Sequence, residues 1–398
     1  MQMNHKWYLY VNALSSLGSR MNLIACSALI FTFEHSAYWM TAFFVARQLG
    51  GMLFSPLAGI LADRMDRRRT MIASDMGAGL AIVAIAFYPT PYVLIAAAFL
   101  NGMLYTLFHI SFQASLPQIF GSEQLVQVNG LKVRLESLVG IMGFMLGGWL
   151  TDHYGYTIVI ALDAASFLFS AWILTKLRWE EKENAMLATS SDADIRGKAA
   201  SSFRVTLRYL RDTPVLLTIS LLAFLISLST SAYNYGLPFL ADQLRGSDAT
   251  LHGLMWTAMS VGGLIGSYVA ARLRVKLVNG MLVAYAVFSV GIVGAFAANH
   301  AVFVLLLLIF AGLFSGAAQV YESTLLQQTQ NELRGKVMGV QGLLSRSGYF
   351  VGFLMAPFLA GAFTLFGMLV FAQLMFVVGL IGFGLYLVIS PKKSKSAS

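Results

Sequence analysis

Seven charged side chains, Arg20, Arg47, Lys132, Arg134, Glu136, Glu322 and Arg346, lie inside long apolar runs of this chain. Each costs a few kcal/mol to bury on insertion scales, so each is a functional candidate by default. A poorly hydrated carboxyl can exchange a proton as its hydration alternates. Glu136 is the first candidate for that role. It lies halfway through its run, on one stripe with Gly140, Gly143 and Gly147, and small residues at such spacing allow close helix contact. A permanent salt bridge to Arg20 or Arg134 is the alternative. Arg20 stands at the midpoint of the first run, with Ser16 and Ser27 on its face. It is a candidate for proton coupling and for substrate binding, against a structural ion pair with an acid on another helix. Glu322 and Arg346 are expected to pair, with a coupling role for Glu322 as the alternative. His109 can titrate near neutral pH. Tyr233, Asn234, Tyr235 and Trp256 offer a polar-aromatic wall to a substrate, or anchor helix ends at an interface. Five cations (Arg20, Arg47, Lys132, Arg134, Arg346) oppose two acids. If they face inward, the excess favours an anionic or zwitterionic amphiphile over a lipophilic cation.

The elements that must position these residues are helices in a bilayer. The chain has 398 residues, 58% hydrophobic and 11% charged, against roughly 25% charged in a soluble protein. A spanning helix needs about 20 apolar residues. Twelve runs qualify: 7–33, 38–62, 70–88, 91–118, 124–150, 155–176, 214–240, 250–271, 278–298, 301–326, 336–364 and 366–390. The first reads as a span rather than a cleaved leader, because no small-residue cleavage motif follows it. Of the 27 Lys and Arg, five lie within runs and Arg245 alone falls on the outer side when the amino terminus is placed inside. The rest are then cytosolic, as the positive-inside rule demands, so both termini are expected in the cytosol. This placement also turns the net charge of +9 away from nucleic acid. The single cysteine, Cys26, excludes an intramolecular disulfide.

The chain repeats itself. Gly130, Gly143 and Phe144 match Gly339, Gly352 and Phe353 at an offset of 209. Parallel repeats imply two six-helix bundles with a substrate site between them, residues 1–178 and 214–398. A polar linker, 179–213, joins them. Phe203, Leu207 and Leu210 lie on one face of its end and Arg204, Arg208 and Arg211 on the other, which suits a helix on the inner membrane surface; a solvated stub is the alternative.

Between the second and third runs stands Gly59-Ile-Leu-Ala-Asp63-Arg64-Met-Asp66-Arg67-Arg68-Arg69. A faded copy, Gly266 to Lys276, keeps its cations but has Ala270 where Asp63 stands. The loop resembles motif A of the major facilitator superfamily, and the resemblance covers the whole chain. Asp63-Arg64-Met-Asp66-Arg67-Arg68, followed by Met71-Ile72 and Asp75, is most similar to the macrolide-efflux branch, of drug:proton antiporter type, which includes siderophore exporters. Pro117 to Gly130 and Leu207 to Pro214 are similar to that branch as well. Two departures stand out: Asp66 replaces the usual Gly, and Gly143-Phe-Met-Leu-Gly147-Gly148 lacks the proline of the antiporter motif.

The resemblance implies an all-α integral membrane protein with the major facilitator fold, twelve helices in two pseudo-symmetric bundles, in a bacterial cytoplasmic membrane. It implies a latch in which Asp63 accepts hydrogen bonds from the amino end of span eleven. Gly59, Arg64, Arg67 and Arg68 complete that motif, Arg67 and Arg68 pairing with the acid or reaching carbonyls that close neighbouring helices. Span one lines the cavity in this superfamily, whereas Asp75 and Asp163 fall on peripheral helices and read as structural. The expected activity is proton-coupled export of a small amphipathic compound by a monomer without metal or other cofactor. Proton symport of an anionic solute and a non-transporting receptor are the alternatives. Enzymatic readings lack their motifs: Arg196-Gly-Lys198-Ala has no preceding glycine loop, and neither Gly-x-Ser-x-Gly nor His-Glu-x-x-His occurs.

Overall fold

The computed structural model describes residues 6–34, 36–120, 125–177, 208–246, 249–273, 275–327 and 331–389. Among these residues the chain forms twelve long helices and no strand: α1 (Lys6–Phe31), α2 (Ser36–Arg64), α3 (Arg67–Phe87), α4 (Pro91–Phe120), α5 (Leu125–Tyr154), α6 (Tyr156–Lys176), α7 (Pro214–Arg245), α8 (Ala249–Ala270), α9 (Leu277–Ala297), α10 (Ala301–Gln327), α11 (Asn331–Ala362) and α12 (Leu365–Ile389). Ten of them are long and apolar enough to cross a bilayer, which makes this a multi-pass membrane protein. The other two, α2 and α5, carry most of the charges flagged above. The amphipathic segment of the linker lies largely outside the described residues; 208–212 are helical.

Local chemistry sets several boundaries. α3 begins where it does because Asp66 caps it, its Oδ1 accepting from Arg69 N–H at 2.9 Å. α4 opens on Pro91, whose missing N–H is harmless at the first helical position. The α5–α6 corner turns on Gly155 at φ +81°, a left-handed conformation that costs glycine nothing.

The chain divides into two compact units, Met1–Glu183 with Leu237–Ser260, and Asn184–Gly236 with Val261–Ser398. In the first, α1 packs on α5 and α6, α2 on α4, and α3 on α4 and α6, around a core including Tyr8, Met71, Phe112 and Leu174. Glycines bring these helices to backbone contact. A Cβ on Gly147 would stand 2.6 Å from the Cα of Met21, and one on Gly143 would stand 2.7 Å from the Cβ of Arg20. The start of α8 belongs to the same unit. Asp152, near the end of α5, accepts hydrogen bonds from the N–H groups of Ala249 (3.2 Å) and Thr250 (2.7 Å), satisfying donors that open α8. The only cysteine, Cys26, is buried on α1 with its Sγ 3.3 Å from Asn22 Oδ1.

In the second unit, Leu216, Ile219, Leu222, Tyr285 and Phe376 share a core. Here α11 crosses α7 as α5 crosses α1: Gly352, the repeat partner of Gly143, abuts the Leu228 carbonyl and Ser231 just as Gly143 abuts the Leu17 carbonyl and Arg20. The sequence repeat is therefore a repeated helix crossing.

Candidate functional site

The charged loop sits at the junction of α2 and α3. Arg67 donates to the Ala114 carbonyl on α4 at 2.9 Å, and Arg68 donates to Leu174 (2.8 Å) and Thr175 (2.5 Å), whose carbonyls close α6. A cation at a helix carboxyl end satisfies orphan carbonyls and complements the dipole. These arginines reach helix carbonyls, one of the two fates expected of them. The side chains of Asp63 and Arg64, and Gly59, lie outside the described residues, so the latch itself is not in view.

The charges inside the helices gather in two places. In the first unit, Arg20 on α1 is exposed and its guanidinium lies over the ring of Phe144, 5.3 Å from the centroid. That ring is buried and stacks on Trp256 at 5.1 Å, whose Nε1 hydrogen-bonds to His252 Nε2 at 3.1 Å. Arg47 on α2, also exposed, lies within electrostatic reach of Arg20, Tyr105, Cys26 and Asp163. Asp163 on α6 is fully buried, with Asn22 beside it and Ser19 Oγ at 3.5 Å. Its Oδ2 has no hydrogen-bond partner. Sequence reasoning assigned Asp163 to a peripheral helix and missed that it faces α1. The signal was present in Gly18, where a Cβ would stand 2.7 Å from Asp163 Oδ1: α1 keeps a glycine and a serine where α6 presents its acid.

Glu136 does not reach Arg20. It pairs with Lys132 on its own helix at 3.6 Å and is 58% exposed, so it lacks the poorly hydrated surroundings expected of the stripe. The side chain of Arg134 lies outside the described residues. His109 stacks on Tyr105, centroids 5.7 Å apart. In the second unit Glu322 on α10 accepts hydrogen bonds from the Tyr285 hydroxyl on α9 and the Gln341 amide on α11. These neutral donors take the place expected for Arg346, which has interactions of its own. Tyr233 and Tyr235 are buried, Tyr233 edge-on to Phe288 at 6.1 Å, and Asn234 is half-buried between them. Among the described residues no three metal-ligating side chains cluster.

A sequence profile described as Major Facilitator Superfamily matches residues 9–352 and again 222–398. The chain belongs to that superfamily. Superfamily relatives include the uncharacterized MFS-type transporter YfiS of Bacillus subtilis, 23% identical over 66% of this chain and 62% of its own length. The enterobactin exporter EntS of Salmonella typhimurium is 24% identical over 83% of this chain and 81% of its own length. BacE of Bacillus subtilis, described provisionally as a bacilysin exporter, is 25% identical over 44% of each chain. The matched stretches thus span less than two thirds of YfiS and BacE. Among solved structures, the nucleoside transporter NupG superposes with a TM-score of 0.73 at 14% identity, covering 96% of this chain and 99% of that one. A bacterial homolog of the human lysosomal transporter Spinster gives 0.71 at 13% identity, covering 100% and 97%. Both carry the major facilitator fold, and this chain shares it.

Proposed function

We propose that this chain is a proton-coupled secondary transporter that exports a small amphipathic anion or zwitterion from the bacterial cytoplasm by alternating access. In this reading both termini are cytosolic, and each six-helix half, 1–178 and 214–398, moves as a bundle in the inner membrane. The observation that carries the substrate class is the pair Arg20 and Arg47, two exposed guanidinium groups in the middle of helices. Neither forms an ion pair among the described residues. A guanidinium facing hydrocarbon is far too costly, so the pair faces a polar cavity. The direction is supported by EntS, an exporter matched over most of its length.

Glu322 is the coupling carboxyl in this reading, in preference to Glu136. Its two partners are neutral donors on two other helices, so it can gain a proton without breaking an ion pair, whereas Glu136 already has Lys132. Expression of the chain in a strain lacking its own exporters should lower accumulation of an anionic amphiphile, and collapsing the proton gradient should restore it. Glu322→Gln should retain substrate exchange but lose its response to the gradient, while Glu136→Gln should keep that response. Expulsion of cationic dyes in preference to anions would overturn the substrate class.

A further inference from the structure

The repeated crossing shows what Arg20 is not for. In the second unit α11 meets α7 with the same geometry, Gly352 against Leu228 and Ser231, and the position equivalent to Arg20 is Ser231. Ser231 is buried and its hydroxyl donates to the Leu228 carbonyl at 2.6 Å. A small side chain therefore suffices to build this helix pair. The first unit instead carries a guanidinium there, over the buried Phe144 ring at 5.3 Å from its centroid. A cation–π contact uses none of a guanidinium's N–H donors as hydrogen bonds, so they stay available to a ligand. Arg47 brings a second guanidinium within electrostatic reach, and like charges repel strongly where water is scarce. The acid that shares this neighbourhood, Asp163, is buried against α1 and makes no ion pair with either arginine among the described residues. Both arginines are exposed and the acid is not.

We infer that Arg20 and Arg47 together form an anion subsite for an aryl or similarly flat carboxylate. The inference rests on reading the chain as a transporter of an anionic or zwitterionic compound, and deepens it. An incoming carboxylate accepts parallel hydrogen bonds from Arg20 and Arg47 and neutralises the surplus charge. Among the described residues the second unit shows no such pair at this crossing, so the substrate's charged end is held by the first unit.

Calorimetric titration of the purified full chain in detergent tests this with three probes of one shape: 1-naphthoate, 1-naphthamide and 1-naphthylmethylamine. Naphthoate should bind best, the amide and the amine about tenfold more weakly or less. Arg20→Gln and Arg47→Gln should each weaken naphthoate about tenfold and leave the amide unchanged, and Arg47→Lys should recover only part of the loss. A wild-type chain that binds none of the three, or binds the amine as well as the acid, overturns the inference. So do arginine variants with unchanged naphthoate affinity. Efflux assays separate the two readings: arginine-dependent binding without efflux removes the exporter and keeps the subsite. Efflux with no charge preference in binding removes the subsite alone.

Discussion

Arg68 does two jobs with one side chain. Its charge is one of those that place the α2–α3 loop on the cytosolic side in the proposed topology, and its guanidinium closes the end of α6 through Leu174 and Thr175. Hydrogen bonds from a charged donor contribute about 1.5–3 kcal/mol. Arg68→Ala should therefore lower the thermal transition of the detergent-solubilised protein, with Arg68→Lys intermediate because an ammonium cannot fork across two carbonyls. An unchanged transition in Arg68→Ala would confine this residue to topology. At this scale the sequence identified the residue types but not their partners. It named Arg67 and Arg68 and allowed them either the acid or the carbonyls. It also flagged Arg20 and Arg47 on cost alone. It could not tell that Asp163 faces α1 or that Glu136 finds Lys132 on its own helix, because those facts depend on helix rotation.

Helix extents were nearly legible, helix faces were not. The apolar run 91–118 became α4, Pro91–Phe120, and the run 70–88 became α3, Arg67–Phe87, displaced by the Asp66 cap. A span apolar on every side offers no amphipathic stripe to show which face meets a neighbour. Glycines supplied part of that information, and the structure sorts them. On the stripe Gly140, Gly143 and Gly147, only the last two are pressed against α1; a Cβ on Gly140 would meet nothing closer than Ser260 Oγ at 3.4 Å. Gly147→Val should prevent α1 and α5 from closing and abolish folded protein, as seen by size-exclusion chromatography. Gly140→Ala should express and melt like the wild type. Equal tolerance at both positions would show that this crossing is looser than described.

For the whole molecule, the most legible property was its class. Composition, twelve apolar runs and one charged loop identified a membrane protein of the major facilitator superfamily, and the superfamily profile and the fold bear that out. The internal repeat was legible too, and the paired crossings at Gly143 and Gly352 show what it encodes physically. What each repeat keeps for itself, Arg20 in one and Ser231 in the other, is set by which side chain each glycine meets, which the sequence offset does not show. Cys26 adds a practical consequence. The chain carries one thiol, and that thiol is sealed within α1 beside Asn22. Maleimide should therefore leave the folded wild type unmodified by mass spectrometry while labelling Tyr38→Cys at an exposed site. The natural protein is in effect its own blank for spectroscopic labelling: a probe introduced anywhere else would report alone. Cys26, within electrostatic reach of Arg47, would become reactive only when the helices around the guanidinium pair open.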